Sequence, residues 1–232
     1  MPNLIDSQVL YNTALNGNCG AFCTSLSIIR KCNIEYNVAH KNGGFAYSLK
    51  SFHAMIDILD TRMISNNAIH GSGGGIWIHN VSLSNGLLLN VMSSIFNDNT
   101  AGIHGGIMYI NDNNIDIRIS NSSMVSNKAL LGDGGCISSR SYINMNMTYN
   151  DITSNTAGNN GGCMSFDDNI EINIINNIIK NNTASISGGV IYANHSSRMH
   201  GGIWIHNLSL SNGLLLNVMS SIFNDNTAGI HG

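Results

Sequence analysis

Asp116 and Glu171 come closest, by type and spacing, to a pair of catalytic carboxyls. They stand ten and nine residues after the glycine pairs Gly105/Gly106 and Gly161/Gly162, two repeat lengths apart. If the repeats stack at ~4.8 Å, the two acids lie ~9.6 Å apart. That is near the upper limit for carboxylates that activate a water between them in inverting glycoside hydrolysis. Against this chemistry, the equivalent position between them is Asn144, outward positions elsewhere are Asn or Ser, and no Lys/Arg cluster converges on them. The pair therefore reads as part of a solvated ladder, with an acid pair as the alternative. Asp112, Asp167 and Asp168 fall in the turns preceding the same runs and read as turn residues.

The other reactive residues give weaker patterns. Cys136 and Cys163 each follow a glycine pair in successive repeats, so they should stack as buried free thiols. Cys19, Cys23 and Cys32 have no second matching pair, and a zinc site normally needs one. His70, His104, His200 and His231 precede glycines and read as turn residues, while His79 and His206 are copies of each other. No metal and no cofactor is expected. Trp77 and its copy Trp204 are candidates for exposed stacking on a sugar.

What would position these residues is a repeat. An apolar residue, two variable residues, Asn, one variable residue and Ala recur from Val9–Ala14 to Phe223–Ala228, placing the shared Asn at Asn12, Asn37, Asn66, Asn99, Asn127, Asn155, Asn182 and Asn226. Glycine pairs follow, with second members at Gly44, Gly75, Gly106, Gly135, Gly162 and Gly189. A period of 24 to 31 residues suits one coil of a solenoid. Between the glycines run alternations such as Ile115, Ile117 and Ile119 around Asp116 and Arg118, the period-two signature of half-buried strands. The expected fold is all-β: a single-stranded, right-handed parallel β-helix of about seven to eight coils, with three strands per coil and the Asn side chains bonded from coil to coil.

The motif pair FxxN and GGA(I/L/V), met here literally at Phe96 with Asn99 and Phe223 with Asn226, resembles the repeats of chlamydial polymorphic outer membrane proteins. The chain also looks like the wider pectin-lyase-like β-helix group. The resemblance implies a surface-exposed, exported protein that acts as an adhesin, and a cell-surface or extracellular location.

Composition narrows the rest. Only 10% of residues are charged, 37 are Asn, and the net charge is −3 without a basic cluster, which argues against nucleic acid. The opening MPNLIDSQVL lacks a secretory pattern, and no apolar run reaches the ~18 residues of a membrane helix, so no membrane insertion by this segment is expected. Residues 74–105 return as residues 201–232 with one change, Val81 to Leu208. The chain therefore divides into coils at 1–189, an irregular truncated-coil junction at 190–200 and a duplicated coil at 201–232. The leading functional expectation is a non-enzymatic repeat segment of a larger surface or secreted protein, a stalk or adhesive face for a host surface protein or glycan. A carbohydrate-active β-helix enzyme is the alternative.

Overall fold

The computed structural model describes residues 3–24, 26–49, 55–79, 86–111, 115–140, 142–167, 170–194, 203–206 and 215–230. These form an all-β parallel solenoid with no helix. Four parallel sheets run along the axis, three of eight strands and one of seven. A representative coil visits them in the order Ile115–Ser120, Ser123–Val125, Lys128–Ala129 and Ile137–Ser139. These are called the first to fourth sheets below.

The coil has four strands where three were expected. The addition is a two-residue strand directly after the recurrent Asn, such as Thr100–Ala101, which pairs with Asn67–Ala68 on one side and Lys128–Ala129 on the other. It escapes period-two reading because two residues cannot show an alternation. Its alanine points into the interior: Ala39, Ala68, Ala101, Ala129, Ala157 and Ala184 are all buried. No larger side chain fits at this narrow corner of the coil.

Alternation builds the core. In Ile115–Ser120 the three isoleucines are buried while Asp116 and Arg118 are exposed. Stacked isoleucines, methionines and phenylalanines from the first, second and fourth sheets merge into one hydrophobic column. Each fully buried aliphatic side chain contributes roughly 1.5–3 kcal/mol.

Corners are made by left-handed backbone. Between the first and second sheets φ is positive at Asp60, Ser93, Asn121, Tyr149 and Asn176, and between the second and third at Ser65, Asp98, Ser126, Ser154 and Asn181. Before the fourth sheet the left-handed residue is glycine: Gly43, Gly73, Gly105, Gly134, Gly161 and Gly188. The next glycine packs backbone on backbone, since a Cβ on Gly44, Gly74, Gly106, Gly135 or Gly162 would run into the carbonyl of its counterpart one coil on. This column corrects one assignment. Gly74, not Gly75, is the second member of its pair, because the run Gly73–Gly75 holds three glycines and only the φ of Gly73 fixes the phase. Gly75 lies in the following column, where its carbonyl accepts from Phe45 N and its N–H donates to Ile107 O.

The duplicated segment forms the last described level of the solenoid. Ile203–His206, Leu215–Met219, Ile222–Asn224 and Thr227–Ala228 are the terminal strands of the fourth, first, second and third sheets, the same sheets that hold the original strands Ile76–His79, Leu87–Met92, Ile95–Asn97 and Thr100–Ala101. Only residues 195–202 separate Ile203–His206 from its neighbour Ile191–Asn194 in the fourth sheet. The expected irregular junction is thus regular strand at Ile191–Asn194, and residues 195–200 lie outside the described residues.

Candidate functional site

The Asn column is fully engaged inside the fold. Asn37 donates its backbone N–H and Nδ2 to Asn66 Oδ1 at 3.1 and 2.9 Å, and the same pair of bonds links Asn66 to Asn99, Asn99 to Asn127, Asn127 to Asn155 and Asn155 to Asn182. Asn12 and Asn226 join its two ends in the same way. The remaining Nδ2 hydrogen reaches back to a strand carbonyl, as from Asn99 to Met63 O at 2.8 Å. The column therefore leaves nothing for a ligand.

Two further polar columns were not singled out from the sequence. At the first corner, the N–H of Thr61 donates to Ser94 Oγ, that of Ser94 to Ser122 Oγ, that of Ser122 to Asn150 Oδ1 and that of Asn150 to Asn177 Oδ1. Each lies five residues before a recurrent Asn, a signal present in the sequence. The third column consists of the residues immediately before the left-handed Cys19 and the left-handed glycines of later coils, and runs with the opposite polarity. Asn42 donates to Asn18 Oδ1, Ser72 N to Asn42 Oδ1, His104 N to Ser72 Oγ, Asp133 N to His104 Nδ1 and Asn160 N to Asp133 Oδ1.

That third column borders the outer face of the fourth sheet, where His104 lies against Tyr109. In register along this sheet stand Tyr47, Trp77, Tyr109, Ser138, Ser165 and Tyr192, of which Trp77, Tyr109, Ser138 and Ser165 are buried. Tyr47 and Trp77 stack at 4.2 Å between ring centroids, and Tyr109 continues the pile at 6.3 Å from Trp77. His79 lies against Trp77 at 4.7 Å and His104 against Tyr109 at 5.6 Å. Trp77 is only 8% exposed. Its faces are covered by neighbours, so it is a rung of an aromatic ladder and not an open platform for a sugar ring. Of its copy Trp204 only the backbone is described, paired with Tyr192.

Beside the serines lies a charged cluster. Asp133 Oδ1 accepts from Asn160 N at 3.0 Å and from Asn160 Nδ2 at 2.9 Å, and its Oδ2 is 3.3 Å from His104 Nδ1. That nitrogen is also 3.0 Å from the Asp133 backbone N. Burial alone would raise the Asp133 carboxyl, but the His104 and Asn160 hydrogen bonds outweigh it and hold the group below its ordinary range. Asp167 moves the other way: burial and then the negative charge of Asp133 raise it, partly offset by Arg140, whose Nε is 3.5 Å from Asp167 Oδ2. Tyr109 and Tyr192 are raised by burial and feel both carboxylates. Two neighbouring carboxyls are thus displaced in opposite directions, Asp133 down and Asp167 up.

The acids singled out from the sequence lie elsewhere. Asp116, Asn144 and Glu171 occupy one column of the first sheet, Asp116 exposed and Glu171 half-buried. Both ion pairs among the described residues involve segments that flank strands of the fourth sheet. Cys136 and Cys163 stack in the interior, linked through Cys136 N to Cys163 O at 2.7 Å, and burial pushes the Cys136 thiol well up. Cys19 and Cys23 form a disulfide with Cα atoms 5.4 Å apart, and Cys32 is a free buried thiol. His70 meets His40 edge to face with ring centroids 4.7 Å apart, and His200 and His231 lie outside the described residues. No protein family matches this chain, and no curated protein or solved structure is found similar to it.

Proposed function

We propose that this chain is a non-enzymatic β-solenoid segment of a larger surface or secreted protein, a rigid spacer that presents the exposed Arg140–Asp167 pair beside its fourth sheet as part of an adhesive surface. The observation that carries this reading is where the polar chemistry is spent. Three columns of polar side chains are consumed in bonds between coils, which stiffens the rod, and the Tyr47–Trp77–Tyr109 ladder and the Arg140–Asp167 pair lie along one side of it. Asp133 supports binding over catalysis because both of its oxygens are already engaged. The FxxN motifs at Phe96/Asn99 and Phe223/Asn226 support a surface location through the family they resemble.

The test is binding of the purified chain to an array of host-type glycans and to immobilised cell-surface protein, alongside a double variant Arg140→Ala/Asp167→Asn. Both residues are exposed, so the fold is expected to stand. Binding that drops at least tenfold in the variant supports the reading; equal binding by both forms, or none by either, overturns it.

A second reading, a carbohydrate-active enzyme, is favoured by the opposite displacement of Asp133 and Asp167. Its candidate acids are Asp133 and Asp167, alongside Asp116 and Glu171. Incubation with uronate and neutral polysaccharides decides: reducing ends or unsaturated products that vanish in Asp167→Asn would establish the enzyme.

A further inference from the structure

Six Asn-x-Ser/Thr triplets, the acceptor pattern for N-linked glycans, begin at Asn80, Asn121, Asn146, Asn181, Asn194 and Asn207. A chain with 37 Asn generates such triplets by chance, so their places in the fold have to sort them. Asn80, Asn207 and the side chain of Asn194 lie outside the described residues. The other three differ sharply.

Asn121 and Asn181 occupy the same step of two different corners, the first between the first and second sheets and the other between the second and third. Both are exposed and left-handed, with φ of 48° and 54°. Asn is one of the few residues besides glycine that take this conformation readily. The middle residue of each triplet is buried in a polar column: Ser122 accepts from Ser94 N, and Asn182 accepts from Asn155 Nδ2. The third residue, Ser123 or Thr183, opens the next strand and faces outward, since Met124 and Ala184 after them are buried. Each corner thus turns the acceptor amide and the hydroxyl toward solvent while the residue between them anchors the turn. Neither Asn121 nor Asn181 spends its side-chain amide on a hydrogen bond among the described residues.

Asn146 shares none of these features. It sits in mid-strand on the first sheet, half-buried between Arg118 and Asn173 of the flanking coils at ~4.8 Å spacing. Its Oδ1 accepts from Asn173 Nδ2 at 3.0 Å. The Cys19–Cys23 disulfide is a separate observation that points to an oxidising, exported environment, where such glycans are added.

We propose that Asn121 and Asn181 are attachment sites for N-linked glycans, an inference that rests on the surface or secreted reading above. The donor is an oligosaccharide carried on a lipid diphosphate and brought by a membrane-bound transferase. The side-chain nitrogen attacks the anomeric carbon, and a C–N bond forms as the C–O bond to the diphosphate breaks. The lipid diphosphate leaves with the electron pair, and the proton lost from Nδ2 passes to a base of the transferase. Asn121 precedes Ser123–Val125 and Asn181 follows Ile178–Lys180, so the two glycans flank the second sheet. In coil order that sheet adjoins the first and third, which leaves the fourth sheet bare.

Translation of the 232-residue chain behind a cleavable secretory leader, in the presence of eukaryotic microsomes, tests this. Release of the glycans by peptide-N-glycosidase in heavy-oxygen water marks every formerly occupied Asn for mass spectrometry. Asn121 and Asn181 should be occupied in most molecules and Asn146 in few. Asn121→Gln and Asn181→Gln should each remove one glycan mass, and because both residues are exposed, trypsin resistance should match that of wild type. Asn176 is left-handed at the same corner as Asn121 but is followed two residues on by Ile178, which is 40% exposed. Ile178→Thr supplies the missing hydroxyl and should add a glycan at Asn176. Asn121 or Asn181 unoccupied, Asn146 occupied as fully as they are, or no gain in Ile178→Thr overturns the proposal. Adhesion is read separately with Arg140→Ala/Asp167→Asn: empty glycan sites leave the adhesive reading standing, and occupied sites without adhesion refute that reading alone.

Discussion

Asn127 spends every polar atom of its side chain on other coils. Its Nδ2 donates to Phe96 O and to Asn155 Oδ1, and its Oδ1 accepts two bonds from Asn99. Asn127→Ala leaves buried donors on Asn99 without an acceptor, so its cost should be on the order of 3 kcal/mol in urea unfolding. Asn12→Ala, at the exposed end of the same column, should cost less than about 1 kcal/mol. Equal losses at the two positions would contradict the ladder account. Asp133 gives a prediction with a sign. Its folded pKa is depressed, so its stabilisation is present above the unfolded carboxyl range and disappears as pH falls through the folded value. Asp133→Asn should therefore be less stable than wild type near neutral pH and equal to it in acid, as read by guanidinium midpoints. Asp167 has the opposite sign. Its folded pKa is raised, so its ionisation on the way to neutral pH opposes folding, weakly because the side chain is 41% exposed, and Asp167→Asn should hold or slightly raise the neutral midpoint. The Asn positions were legible because one residue type recurs at one spacing. The Asp133 site was not: its column reads Asn, Asn, Ser, His, Asp, Asn, six positions linked by backbone geometry and not by residue type.

The element that sets the cross-section is the glycine turn before the fourth sheet. Gly106 allows two turns to approach until a Cβ would strike the Gly135 carbonyl, and that carbonyl cannot move without breaking its own coil. Gly106→Ala should lose several kcal/mol, on the order of a core disruption, while Ala at Gly17, where no atom lies within 4 Å, should be nearly neutral. Thermal melts of the two variants check this. Thiols give an independent probe of the same coils. Cys32, Cys136 and Cys163 are buried and free, so a thiol reagent should label them slowly in the native chain, reach three thiols in denaturant and five after reduction. Strands were legible where they reach five or six residues, as in Ile170–Ile175, because alternation over that length has only one reading. The two-residue strands and the phase of Gly73–Gly75 were hidden, since a left-handed φ leaves no mark on a sequence in which every candidate is glycine.

Across the whole molecule, stability is close to a sum over coils and their contacts. Deleting residues 201–232 should leave the remaining coils folded, with the β signal in far-UV circular dichroism retained and the melting temperature lower by roughly 5–10 °C. Collapse to an unfolded chain would show that the last coil is integral to the rest. The overall architecture was legible from the eight recurrent motifs, while the place of the duplicated segment was not. A copy that starts in mid-coil reads as an interruption, yet its strands enter the four sheets in the order fourth, first, second, third and complete one level. A ring of strands has no privileged starting point. Genetic events that copy about 32 residues can therefore break anywhere in the unit and still add one whole rung. The reach of such a rod would change in fixed increments of ~4.8 Å, a ruler whose graduations are set by recombination and whose calibration does not depend on where the cuts fall.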